Sequence, residues 1–169
     1  MPRYVLDTSW VSNPVMDLPQ DIHVTLWQRI AGLIDGGVFC WNREIWDEMD
    51  GSIYGDIATS LQECHDNGGC FEIGQDHWDW NQYLAHVNDI GERYRGYISE
   101  YNGNRSSTIG VNDCSIVCLG KTLGLPVASM EKRNVHPSPI RMRIPELCER
   151  EGIEHLDLNE VLRAEGITA

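Results

Sequence analysis

No apolar run in this chain of 169 residues approaches the ~18–20 that a membrane helix needs, so no bilayer-spanning segment is expected. Nor does an apolar leader open it. Met1-Pro2-Arg3 runs straight into Tyr4-Val5-Leu6, with no h-region and no small-residue cleavage site. A cytoplasmic, reducing setting is the expectation, with the six cysteines present as thiols. None of them forms a CxxC pair, which argues against a zinc site, although Cys64 and Cys70 bracket the turn His65–Gly69 and could meet across it. No GxGxxG follows the first apolar stretch, which disfavours a dinucleotide-binding enzyme. Repeats and low-complexity tracts are absent as well.

Positive charge is scarce. Thirteen Lys and Arg stand against 26 Asp and Glu, a net charge of −13, which excludes a protein that coats nucleic acid by bulk attraction. The excess is localised: residues 44–101 hold thirteen acids and two Arg, so −11 of the net charge sits in the middle third. That surface suits either plain solubility or a basic partner. What is present is ordinary for a globular chain, 41% hydrophobic and 23% charged, at a length that fits one domain, 1–169.

Arg3–Leu6 is apolar without alternation, the pattern of a strand buried on both faces of a parallel sheet. Leu26, Trp27, Ile30, Leu33 and Ile34 predict a helix ended by Gly36-Gly37, and Val38–Trp41 predicts a second strand. Asn42 is placed to cap a helix carrying Ile45, Trp46 and Met49, and Ser52 to cap another with Ile53, Ile57, Leu61 and Cys64. Trp80, Tyr83, Leu84, Val87, Ile90, Tyr94, Ile98 and Tyr101 predict one long helix over about 78–101. A helix from Asn112 to Gly124, a strand at Pro126–Met130, a helix around Pro145–Arg150, a strand at His155–Leu158 and a helix from Asn159 complete the chain. Alternating strands and helices imply a three-layer α/β/α fold around a mostly parallel sheet of four to five strands, with a helical insert at about 51–110.

In such sheets function gathers beyond the carboxyl ends of the strands. Asp7 directly follows the first strand and Glu131 follows Val127–Met130. Glu48 shares the helical face of Ile45 and Met49, and Asp113 that of Ile116 and Val117; a carboxylate on an inward stripe is costly unless something cationic meets it. Taken singly, each has a plain structural role: Asp7 as a cap, Asp113 as a first-turn acid favoured by the helix dipole, Glu48 on an exposed bend. Together, four carboxylates at one sheet edge repel by about 4 kcal/mol per close pair at an effective dielectric of 20. Divalent ions would neutralise them, and an all-oxygen donor set selects Mg²⁺ or Mn²⁺. Ions so held activate a water and stabilise both oxygens of an in-line phosphoryl displacement.

Val5-Leu6-Asp7-Thr8-Ser9, Ile45-Trp46-Asp47-Glu48-Met49, Asn112-Asp113-Cys114-Ser115-Ile116-Val117 and Leu125-Pro126-Val127-Ala128-Ser129-Met130-Glu131 form an ordered set. In that order they resemble the PIN domain, a family mostly of metal-dependent ribonucleases that includes toxins of toxin–antitoxin pairs. The ending, Arg143-Ile144-Pro145-Glu146-Leu147-Cys148 before a strand and helix, is similar to an uncharacterised PIN-like branch. The resemblance implies Asp7, Glu48, Asp113 and Glu131 as catalytic metal ligands, RNA as substrate, an antitoxin protein as partner, and a homodimer. A catalytically silent PIN-like binding module is the alternative.

Around these acids, Ser9 and Ser129 are placed to bond a ligand carboxylate or a scissile phosphate, or simply to cap turns. Lys132, Arg133, His136, Arg141 and Arg143 form an acid-free basic run punctuated by Pro137 and Pro139, suited to RNA phosphates or to solvent. A haloacid-dehalogenase-like phosphatase is disfavoured, because it needs an Asp where Ser9 stands.

Overall fold

The computed structural model describes residues 1–53, 55–136 and 139–167; Pro137 of the basic loop lies outside them. The chain runs β1 (Tyr4–Leu6), α1 (Thr8–Asp17), α2 (Val24–Asp35), β2 (Phe39–Asn42), α3 (Arg43–Met49), α4 (Asp56–Cys64), β3 (Cys70–Phe71), α5 (Trp80–Arg93), α6 (Ser99–Asn102), α7 (Val111–Leu123), β4 (Val127–Ala128), α8 (Ile144–Glu151), β5 (His155–Leu156) and α9 (Leu158–Ala164). The five strands form one sheet in the order β3-β2-β1-β4-β5, every neighbour parallel. The fold is α/β, and all three residues of β1 are buried, as their unalternating pattern predicts. Parallel neighbours need right-handed crossovers, so the chain winds outward through β2 and β3 with helices on one face, then returns to β4 and β5 with helices on the other. Accordingly α2 packs on α4, while α5 and α8 both pack on α7.

Three local expectations are corrected. Ser52 does not open α4: its hydroxyl donates to the carbonyls of Glu48 (2.6 Å) and Met49 (3.0 Å), closing α3. Gly55 caps α4 instead, at φ +80°, where a side chain would be strained. The helix expected over 78–101 stops at Arg93. Ile98 is extended there and bridges to Ile109, with Ser99 N donating to Ile109 O at 2.9 Å and Ile109 N to Tyr97 O at 3.1 Å. Long-range pairing thus overrides a helical period, and Tyr101, expected on the buried stripe, is 51% exposed. Nor is 51–110 purely helical, since it supplies the edge strand β3, which pairs Cys70 with Trp41 and Phe71 with Asn42.

The other boundaries hold to within a few residues. Asn42 caps α3, its Oδ1 accepting from Ile45 N at 3.2 Å, and Gly124 ends α7 at φ +66°. All six cysteines are free and buried; burial pushes the Cys64 thiol up to about 11 and the Cys70 thiol to about 12. Among the described residues no helix is long and apolar enough to cross a membrane.

Two contacts hold α7 against the rest. Gly120 faces β4 so closely that a Cβ there would lie 2.9 Å from Val127 Cγ2 and 3.0 Å from Leu125 O. Farther out, the Glu151 carboxylate of α8, its side chain 2% exposed, accepts from Lys121 Nζ of α7 (2.6 Å), from Arg93 at the end of α5 (2.8 and 2.9 Å) and from Tyr94 Oη (2.7 Å). Burial alone would raise its pKa, but these four donors outweigh burial and hold it at about 2. Because the folded pKa lies below the ordinary 4.5, the stabilisation is complete above that value and disappears as pH falls toward 2. Glu151→Gln is therefore expected to lower stability by on the order of 2 kcal/mol near neutral pH, with the deficit shrinking in acid. Urea unfolding of both proteins across this pH range measures it, and a deficit independent of pH would exclude the ionic network as its source.

Candidate functional site

The order of the sheet reverses between β1 and β4, and at such a switch point the loops leave a crevice beyond the carboxyl ends. Asp7 is the first residue past β1 and caps α1, its Oδ2 accepting from Ser9 N at 3.1 Å. Its own N–H donates to Ala128 O of β4 at 2.9 Å, which pins it to the switch point, and the residue is 4% exposed. Ser9 Oγ donates to the same Asp7 oxygen and accepts from Met130 N at 3.0 Å, so one hydroxyl ties both strand ends together. Ser129 is fully buried; its Oγ lies 2.8 Å from His155 Nε2 and accepts from Glu131 N at 3.3 Å, shaping the turn that carries Glu131.

The remaining acids arrive from three elements. Asp113, in the first turn of α7, accepts from Gly110 N through Oδ2 at 3.0 Å, and a Cβ on Gly110 would lie 3.2 Å from that oxygen. Glu131 accepts from Ile144 N at the start of α8 through Oε2 at 2.9 Å. Glu48 departs from expectation: its position on α3 is exposed, not on the buried stripe. The side chain nonetheless reaches across, accepting from Thr8 Oγ1 (3.0 Å) and Asn112 Nδ2 (2.7 Å), the neighbours of Asp7 and Asp113.

The four acids feel one another. Burial pushes Asp7 up to about 6 against the bonds from Ser9, and the charges of Glu131 and Glu48 add to the rise. Burial likewise pushes Asp113 up to about 7, opposed by the Gly110 N–H and reinforced by Glu131, Asp7 and Glu48. Among the described residues no Lys, Arg or His forms an ion pair with any of the four. Asp7, Asp113 and Glu131 each have one oxygen engaged by the hydrogen bonds above and a second that takes none from the described residues.

The donor set is therefore all oxygen, anionic and unneutralised, which fits a hard divalent ion. Among the described residues no three His, Cys, Asp or Glu side chains are gathered as ligands around one point. Glu48 has both oxygens engaged, by Thr8 and Asn112, whereas Glu131 has one, taken by Ile144 N.

Several contributors escaped the sequence reading. Thr8 and Asn112 stand inside the quoted motifs, but their partner Glu48 is 40 and 64 residues away. Glu100 accepts from Val111 N (3.1 and 3.2 Å) and lies 3.7 Å from a Cβ built on Gly110, beside Asp113. Only the Ile98–Ile109 bridge brings it there, and its spacing carried no signal. In the basic run, Arg133 pairs with Glu149 at 2.8 Å and half-buried Arg143 donates to Lys132 O at 3.2 Å; Lys132 and Arg141 are exposed and without ion pairs among the described residues.

Because Asp113 binds its proton more tightly in the folded chain, its ionisation opposes folding as pH rises from about 4 through about 7. Asp113→Asn removes that penalty and keeps an acceptor for Gly110 N. In EDTA near pH 8 the variant is expected to be more stable than the parent by on the order of 1–2 kcal/mol, the gap closing toward about pH 4. Thermal melts at both pH values check this; a variant that melts lower at both would leave Asp113 a simple first-turn acid.

No curated protein matches the chain. A family model does, over residues 4–169, from the first residue of β1 onward, thus covering all four acids and every strand of the sheet that positions them. The chain belongs to the family described as Domain of unknown function (DUF4411).

Proposed function

We propose that this protein is a PIN-like, Mg²⁺- or Mn²⁺-dependent endoribonuclease that hydrolyses RNA phosphodiester bonds in the cytoplasm. The observation that carries the reading is the pair of acids Asp7 and Asp113, one buried and one half-buried, both held up in pKa and without an ion pair among the described residues, at the switch point of a parallel sheet. Such an arrangement lowers stability unless a cation completes it. Asp7, Asp113 and Glu131 would hold the ion, with Glu48 turning inward from Thr8 and Asn112. When bound, such an ion supplies acidified water and charge neutralisation for in-line displacement at phosphorus.

The chain's own residues do the positioning. Ser9 fixes the Asp7 carboxylate against Met130, and Ser129 with His155 fixes the turn from which Glu131 projects. Lys132 and Arg141, exposed in the loop that leaves the site, are the cations available to RNA phosphates. The −11 charge of residues 44–101 suits a basic antitoxin segment, which extends the reading to the toxin of a toxin–antitoxin pair.

Calorimetric titration with Mn²⁺ is expected to give binding at millimolar metal or tighter, roughly in the range of weak oxygen-donor sites. Asp7→Asn and Asp113→Asn are expected to abolish that heat and to lower RNA cleavage roughly a hundredfold or more. Absence of both binding and cleavage in the parent protein would favour the silent binding module.

The loop makes a separate prediction. Lys132→Ala and Arg141→Ala are each expected to reduce the salt dependence of RNA binding by about 0.7 of a unit in slope, the single-strand value. Arg133→Ala, which removes a group already paired with Glu149, is expected to change it less. Anisotropy titrations across salt concentrations measure the slopes, and unchanged slopes in all three would return the loop to solvent.

A further inference from the structure

Beyond the ends of β2 and β3 run two adjoining cavities of about 320 and 140 Å³ that share Glu44, Tyr83 and Ile73 in their walls. Phe71 closes the outer one, and Tyr101 and Val111 line the inner one. Val111 and Cys114 of α7, which flank Asn112-Asp113 in the chain, both line the inner cavity. The inner walls are mainly aromatic and aliphatic, while the outer cavity also carries Asn42, Glu72 and Arg43, the last paired with Asp47 and Glu72; hydrogen bonds hold the floor. Asn42, 1% exposed, donates to Tyr83 Oη at 3.2 Å and to Ser115 Oγ at 2.7 Å, while Ser115 donates to Asn112 O at 2.6 Å.

Glu44 is the polar group of interest. It is half-buried, belongs to both cavities, and carries no hydrogen bond or ion pair among the described residues. It stands four residues before Glu48 on α3, so the two share a helical face at about 5–6 Å between β-carbons. At the rim, Arg95 lies over the Tyr101 ring at 4.9 Å and puts an exposed cation beside an otherwise acidic surface.

We propose that the trough is a nucleobase subsite that selects guanine, Glu44 accepting both N–H groups of the base's Watson–Crick edge while the ring packs against half-buried Phe71. A carboxylate presents two acceptors side by side, and guanine alone among the four bases presents two adjacent donors, N1–H and N2–H, on that edge. Adenine and cytosine offer one amino group beside a ring-nitrogen acceptor, and uracil one N–H flanked by two carbonyls, so each sets an acceptor against the carboxylate. Stacking supplies sequence-independent affinity, and the charge-assisted pair supplies the choice. The assignment rests on the ribonuclease reading for its place beside a scissile phosphate, but the pocket itself is testable without cleavage.

The test uses the four neutral nucleosides, which avoid phosphate repulsion, with the full chain in EDTA and saturation-transfer NMR as the readout. Guanosine is expected to bind best, and Glu44→Gln to weaken it roughly tenfold while leaving the melting temperature in place. Equal binding of all four nucleosides, no binding of any, or an unchanged guanosine affinity in the variant would each overturn the subsite. Cleavage of a mixed-sequence RNA with Mn²⁺ separates the two ideas. Cuts clustered beside guanine in the parent and scattered in Glu44→Gln support both. Glu44-dependent guanosine binding without any cleavage sinks the nuclease and keeps the pocket; cleavage at all bases alike does the reverse.

Discussion

Asp7 is held at the end of β1 by its own backbone, which donates to Ala128 across the sheet, and it cannot retreat to water. A carboxylate in that position keeps its proton to about pH 6 or imposes its charge on its neighbours. Much of the surrounding structure answers to this constraint. Ser9 gives Asp7 a hydroxyl as well as a backbone N–H, and the same hydroxyl takes Met130 N, so the two strand ends cannot part without exposing the acid. Asp113 and Glu131 meet their single donors, the N–H groups of Gly110 and Ile144, in the same way. Backbone donors reduce the penalty of burial without removing the charge, and the raised pKa values of Asp7 and Asp113 measure what is left.

The scaffold is built to keep that charge in place. Gly120 lets α7 lie against β4 at a distance no side chain would allow, which sets the depth of Asp113 at the other end of the same helix. The Glu151 network clamps α7 to α5 and α8 through fully opposite logic: a carboxylate with three partners, well below its ordinary pKa. One chain thus carries a satisfied buried acid on its flank and unsatisfied ones at its sheet edge. The first stabilises the fold; the second lowers its stability, and a metal or a proton relieves it.

Much of the scaffold was legible in the chain. Apolar runs without alternation marked β1 and β2, Asn42 and Gly124 marked helix ends, and the alternation of strand and helix marked a parallel sheet. Asp7 and Glu131 were legible because a polar residue directly after a buried strand must lie at its carboxyl end. Less legible was anything fixed by pairing across many residues. The two-residue strand β3 is too short to show a pattern, and the break in the 78–101 helix follows from a bridge to Ile109 that periodicity does not contain. Glu48 was misplaced for a related reason. Helical spacing put it on the buried stripe, whereas its position is exposed, and the bonds to Thr8 and Asn112 that turn it toward the other acids depend on how α3 docks beside α1 and α7.

Local rules act within a turn or a strand, where a few residues determine conformation and burial together. By itself, then, the sequence determined the fold class, the helix ends at Asn42 and Gly124 and the strand ends at which acids would stand. Tertiary structure alone decided that those acids influence one another while forming no ion pair among the described residues, that Glu100 stands beside Asp113, and that Arg133 of the basic loop is already paired with Glu149. Electrostatic energy depends on distances through space and on the dielectric between charges, and neither is written in spacing along the chain.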